Sequence, residues 1–253
     1  MRSKNKEIDF EFCQLSGVEG PFIIGYKIRS SSRIKNLQIQ VVDRDKVLIK
    51  KPKRIGDKKA LAFLQQNGEW LWKAIQSHPK VIPLKEYLFQ KPRISAFGKW
   101  VDLEFKFNLR SAKKFKIGIG FKEIEIYLNH IDDYDLQLTK ILKKLAREIL
   151  IPRVGELSIQ KGVKVHGVSI RDQERRWGSC SETSSISLNW RLILLPPSLQ
   201  DHIILHELCH LLHFDHSPAF YECLKRWDPQ SEINSASVDK LSHQMIGMGR
   251  VAS

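Results

Sequence analysis

The chain has 253 residues, 42% of them hydrophobic, and carries a formal net charge of +14. That length suits one large domain or two modest ones, and the hydrophobic content is ordinary for a soluble globular protein. No apolar run approaches the roughly 20 residues that a membrane span needs, residues 1–12 are too polar for a secretory signal, and Cys13, Cys180, Cys209 and Cys223 are scattered without a Cys-x-x-Cys pair. A cytoplasmic protein with reduced thiols and no membrane partner is expected.

In chain order, strands are predicted over residues 22–29, 37–42 and 47–51, the second alternating through Leu37, Ile39 and Val41. Helical periodicity follows over 58–75, with Gly68 as its candidate break. Residues 99–109 alternate through Val101, Leu103, Phe105 and Phe107, and segments 115–119 and 124–128 complete a second strand-rich stretch. From about Asp133 a long amphipathic helix runs through Leu138, Ile141, Leu142, Leu145 and Ile149, with a bend expected near Pro152. Segments 164–171 and 185–190 read as strands leading into a further helix. The predicted class is α+β: a β-rich, basic N-terminal region over 1–130, then a catalytic region with a metal-binding helix over 131–253, or both as one continuous domain.

Charge follows the same division. Residues 1–130 hold 27 Lys and Arg against 13 Asp and Glu, whereas 131–253 hold 15 of each, so the surplus lies in the first half. It would serve a nucleic acid or an acidic or phosphorylated substrate if clustered in space, and would otherwise solvate an amphipathic sheet.

The chemistry concentrates at residues 206–216, His-Glu-Leu-Cys-His-Leu-Leu-His-Phe-Asp-His. His206 and His210 are four apart, so on a helix they project from one face, one turn above the other, and can share one zinc ion. Glu207 falls about 60° around the helix from His210, at roughly 100° per residue. It can reach a metal-activated water without becoming a ligand, as the general base of a His-Glu-x-x-His hydrolase does. A bare motif of this kind arises by chance in roughly one chain of this length per hundred. Here it comes with an apolar flank from Ile203 to Leu212 and a candidate capping box at Ser198–Asp201.

The third ligand follows from a break in the helix. Ser217-Pro218 is a helix start, with Phe220, Cys223, Leu224 and Trp227 at helical spacing behind it. The chain must therefore turn between about Phe214 and Ser217, and His216 can fold back to the metal. On an unbroken helix His213 would lie roughly 10 Å along the axis from His206, able to meet His210 but not both. The interval from His206 to His216 equals that of the metzincin pattern, but that pattern has Gly where this chain has His213, and neither Met245 nor Met248 marks a Met-turn. The metal set is His206, His210 and His216, and Glu207 is the catalytic base.

Other candidates carry less. Trp177-Gly178-Ser179-Cys180 reads as a structural turn beside the site, with Gly178 permitting close backbone approach; Cys180 as a fourth ligand would close the centre. Cys209 reads as core packing. Arg171, Arg175, Arg176 and Arg191 could grip a carboxylate or phosphate, or pair locally with Asp172 and Glu174. His78, His130, His166, His202 and His243 lack metal spacing.

The run Trp177 to Cys180, the segment Ile186-Ser187-Leu188-Asn189-Trp190-Arg191 and the stretch from His206 to Phe220 together resemble the YgjP-like metallopeptidase family, and residues 33–52 and 70–75 extend the likeness upstream. The resemblance implies a zincin-like catalytic core related to the SprT-like peptidases, a Zn2+ cofactor, and metal and base roles for His206, His210, His216 and Glu207, with His213 outside the ligand set. It favours a zinc metallopeptidase acting on peptides, which would align along a strand edge such as 185–190. Two alternatives stay open: a metal-dependent nucleoside triphosphate pyrophosphatase, an activity associated with YgjP-like proteins, and a nucleic-acid-associated protease or binding module. Against the first stand the missing Gly-rich phosphate loop and magnesium carboxylates; against the second, the missing nucleic-acid motif.

Overall fold

The computed structural model describes residues 10–77, 82–107, 114–118, 122–129 and 133–249. The predicted strand ends at 108–109 and 119, the histidines at 78 and 130, the segment 1–9 and the side chain of His243 lie outside that description. The chain forms two compact units, the first ending at Val81 and the second spanning Ile82–Gly249.

In the first unit, β1 (Glu11–Gly17), β2 (Gly20–Ser31), β3 (Gln38–Asp43) and β4 (Lys46–Pro52) form a sheet in the order β1-β2-β4-β3. β2 and β4 run parallel, and the outer pairs are antiparallel. Alternation turns Leu15, Ile24, Val47 and Ile49 to one face, where they join Ala60 and Leu64 of α1 (Asp57–Gln66) and Leu71 and Ile75 of α2 (Gly68–Ser77) in a buried cluster. The predicted 58–75 helix breaks at Asn67/Gly68, as its glycine suggested. A Cβ on Gly68 would lie 2.4 Å from the Ser16 carbonyl oxygen, so only glycine lets α2 start this close to β1.

The second unit begins with α3 (Leu84–Gln90) and a sheet of β5 (Arg93–Ala96), β6 (Lys99–Phe107), β7 (Phe115–Ile117) and β8 (Glu123–Leu128), ordered β5-β6-β8-β7. The long helix α4 (Tyr134–Lys161) opens with the Asp133 side chain accepting from the Asp135 N–H, and it continues through Pro152 to Lys161. Beyond it, β9 (Gly167–Arg171), β10 (Gly178–Cys180) and β11 (Ser185–Asn189) form a small sheet ordered β10-β11-β9. A buried 3-10 turn, Trp190–Leu194, then leads to α5 (Pro197–Cys209), α6 (Pro218–Trp227) and α7 (Ser231–Met245). The α+β class is as expected.

Three sequence expectations are corrected. The predicted boundary near residue 130 falls inside the second unit, because Ile94, Val101, Leu103, Ile124, Ile126 and Leu128 of its sheet share one buried cluster with Leu138, Ile141 and Leu142 of α4. The segment at 178–180, expected as a turn, is strand β10, paired antiparallel with β11. β11, expected to offer a peptide an edge, is the central strand, with β10 and β9 as the two edges of that sheet.

Candidate metal centre

Helix α5 starts on Pro196-Pro197, with proline at the first helical position and no side-chain cap. The capping box read at Ser198–Asp201 does not form. Asp201 instead receives two bonds from Arg153 of α4, Nε to Oδ1 at 2.9 Å and Nη2 to Oδ2 at 2.6 Å. The helix ends earlier than its periodicity suggested. Cys209 is its last residue, His210 keeps helical angles (φ −63°, ψ −17°) as C-cap, and the chain tightens at once, with Leu211 N–H on Leu208 O at 3.1 Å and Leu212 N–H on Cys209 O at 3.0 Å. Ser217 and Pro218 occupy the N-cap and first position of α6 as read from the sequence.

This early turn brings the three predicted ligands together. His206 Nε2 and His216 Nε2 are 3.2 Å apart, and the candidate ligand atoms of His206, His210 and His216 all lie within 4.8 Å of one another. Two nitrogens bound tetrahedrally at roughly 2.0–2.1 Å sit roughly 3.3–3.4 Å apart, so the first pair already has the spacing of a zinc site. Among the described residues this is the one cluster of three or more His, Cys, Asp or Glu side chains with such spacing. Cys180 and His213 are not part of it. His213 contributes through its backbone: the His210 ring places Nδ1 3.0 Å from the His213 carbonyl oxygen. An N–H donated there fixes the tautomer and leaves Nε2 as the lone-pair nitrogen. Phe220 of α6, fully buried, packs on all three imidazoles, with ring centroids 4.9, 4.6 and 4.8 Å from His206, His210 and His216.

Electrostatics favour a cation here. Burial pushes the His206 imidazole down to about 4, helped by the neighbouring His210 and His216 rings. Burial also lowers His210, against the opposing bond to the His213 carbonyl. At neutral pH both are neutral and offer lone pairs, which is the donor chemistry a divalent metal needs.

Glu207 lies beside them, 6% exposed. Burial pushes its carboxyl up to about 8, partly offset by Arg176. A Cβ on Gly178 would meet its Oε1 at 2.4 Å and its Cδ at 2.7 Å, so β10 runs directly over the carboxylate, and glycine is what makes room. Burial, then the Glu207 charge, raises the Cys180 thiol. Cys209 is core packing as expected, its Sγ 3.5 Å from that of Cys223.

The arginines divide. Arg191 is fully buried and committed internally: Nη1 donates to Asp172 Oδ1 at 2.6 Å and Nε to the Met248 carbonyl at 2.5 Å. Burial works against ionising Asp172, but its bonds to Lys143 and Arg191 prevail and hold it at about 2. Sequence reasoning missed His202. Its Nδ1 lies 2.6 Å from Asp228 Oδ2 and its Nε2 3.1 Å from Ser235 Oγ, while Asn234 Nδ2 donates to the same Oδ2 at 3.0 Å. Its one signal was an interval of four residues before His206, which puts it on the same helical face.

No curated protein matches the chain. A solved structure of the metallopeptidase zymogen of Pyrococcus abyssi abylysin is similar over 36% of this chain and 94% of its own, at 23% identity and a TM-score of 0.32. The family model described as YgjP-like, metallopeptidase domain, matches residues 35–240. That match takes in most of both units and contains Gly178, His206, Glu207, His210, His216 and Phe220, and with it the chain belongs to the YgjP-like family of metallopeptidase domains.

Proposed function

We propose that the protein is a zinc-dependent peptidase in which His206, His210 and His216 hold the metal and Glu207 is the general base. The observation that carries this reading is the convergence of three imidazole nitrogens within 4.8 Å beside a carboxylate buried under β10. Family membership implies a divalent metal, and three imidazoles suit zinc with a fourth position left for water. When bound, zinc supplies Lewis acidity, activating the attacking water and polarising the scissile carbonyl. Glu207 accepts the proton of that water and returns it to the leaving amine. Its buried setting raises its proton affinity, which helps it keep the proton between the two events. Phe220 and the His213 carbonyl hold the imidazoles in place. The outer edge of β10 is where a peptide can add as a strand, next to Glu207. The four free thiols Cys13, Cys180, Cys209 and Cys223 agree with a cytoplasmic setting, and no helix among the described residues is long and apolar enough to cross a membrane.

Metal analysis of the purified protein, with parallel peptide and nucleoside triphosphate hydrolysis assays, tests the reading. Stoichiometric zinc and peptide turnover are expected. Alanine at His206, His210 or His216 should empty the site, while His213→Ala should keep its zinc, because a backbone carbonyl survives the change. Glu207→Gln should retain zinc and lose about 10²–10⁴-fold in rate. Peptide turnover of Glu207→Gln within a few-fold of the parent would remove Glu207 from the mechanism. Triphosphate turnover without peptide turnover would replace the substrate assignment.

A further inference from the structure

Helix α4 carries Lys140, Lys143, Lys144 and Arg147 at positions i, i+3, i+4 and i+7. They form one stripe roughly 10 Å long at 1.5 Å per residue. With Lys114, just before β7, they line a cleft of about 390 Å³ whose floor includes Ile141. Among the described residues only Lys143 of these five has a carboxylate partner, Asp172 at 2.7 Å. Glu148, four residues after Lys144, makes no ion pair with it. Like charges three and four apart on a helix repel and weaken it, and this stripe contains four such pairs: 140/143, 140/144, 143/147 and 144/147. The helix therefore keeps a row of cations against its own interest, in the part of the chain whose formal charges cancel.

We infer that this cleft is a binding site for the phosphate backbone of a nucleic acid strand. A single phosphate needs a convergent cup of donors, whereas these cations lie in a line, matching a chain of regularly spaced phosphates. Among the described residues the cleft lining contains no aromatic ring for bases to stack on, and binding is to the backbone without regard to sequence. A flat anionic membrane is the poorer match, since the cations line a cleft between α4 and the Lys114 segment. The inference is independent of the metal centre and of what that centre cleaves.

The test is binding of the full-length protein to a fluorescently labelled oligo-dT strand, followed by anisotropy from 50 to 300 mM salt. The four cations with no carboxylate partner among the described residues give an expected slope of about −2.8 in log K against log salt for a single strand. The triple variant Lys140→Gln, Lys144→Gln, Arg147→Gln should flatten that slope by about 2 and weaken binding about 100-fold near 0.1 M salt. A control triple in the first unit, Lys53→Gln, Arg54→Gln, Lys58→Gln, should change the slope far less. Removing mutually repelling charges should leave Tm unchanged or raised, which separates lost binding from lost fold. The inference is overturned if the parent does not bind the strand, if both triples flatten the slope equally, or if the protein binds vesicles containing 30% phosphatidylserine but not the strand.

Discussion

The contact between Gly178 and Glu207 sets the geometry of the proposed base. A methyl group at residue 178 would stand 2.4 Å from Glu207 Oε1, well inside contact distance, and β10 is held by its pairing with β11. The carboxylate, not the strand, must then move. Gly178→Ala should keep its zinc, since the three atoms nearest the added methyl all belong to Glu207, yet lose about 10²-fold or more in turnover, as expected when a base is misplaced by about an ångström. Zinc content measured alongside kcat decides it, and loss of metal in parallel with rate would show that β10 supports the histidines instead. At this scale the sequence was most informative. The spacing of His206, His210 and His216 and the helix start at Ser217-Pro218 were enough to select the cluster. The allowance for close approach at Gly178 was also legible, but not its object, because Glu207 lies 29 positions away in sequence and only the fold brings them together. The bond from His210 to a backbone carbonyl leaves no mark on side-chain identity, so His213 read only as a competitor.

Among elements, α5 is the one whose placement matters most, and one imidazole ties it to the two helices that follow. His202, one turn before His206, joins α5 to Asp228 at the C-terminal end of α6 and to Ser235 on α7. Asp228→Ala would strip a partner from a buried imidazole and from the Asn234 amide, at a cost of about 1–3 kcal/mol. It should also weaken zinc binding, because His206 on α5 and His216 at the start of α6 depend on the registry of those helices. Asp228→Asn, which keeps an acceptor, should recover much of both. Urea denaturation and zinc titration of the two variants measure this; a stability change under about 0.5 kcal/mol for Asp228→Ala would show that the latch is idle. Strong periodicity revealed β2, β3, β4, β6, β8 and α4 in advance. β1, α3 and β5 went unread because each is short and exposes part of its length, and a burial pattern over four to seven residues resembles a loop.

On the scale of the whole molecule, composition was a poor guide to both boundary and charge. The division at residue 130 came from the predicted elements and coincided with the charge tally, while packing divides the chain at Val81/Ile82. The same tally, zero for the second half, concealed the cationic stripe of α4, since a sum cannot register clustering. Each unit has its own buried cluster, and this has a thermodynamic consequence. Leu64 is fully buried between α1 and the first sheet. Leu64→Ala should cost about 2–5 kcal/mol in the first unit, while the zinc-loaded second unit keeps its stability and its metal. Scanning calorimetry should then show a low-temperature transition separating from an unshifted later one. A single transition that moves as a whole, with zinc lost alongside, would mean that the two cores unfold together.

The absence of sulfur from the histidine cluster bears on metal selectivity. Cys180 stays outside it, and Cys209, although on the same helix, turns into the core toward Cys223. A donor set of imidazole nitrogens alone follows the Irving–Williams order, in which copper(II) outcompetes zinc at equilibrium. If these three histidines hold the metal as proposed, they do not by themselves choose zinc over copper, and protein loaded in a copper-rich medium should carry copper on the same residues.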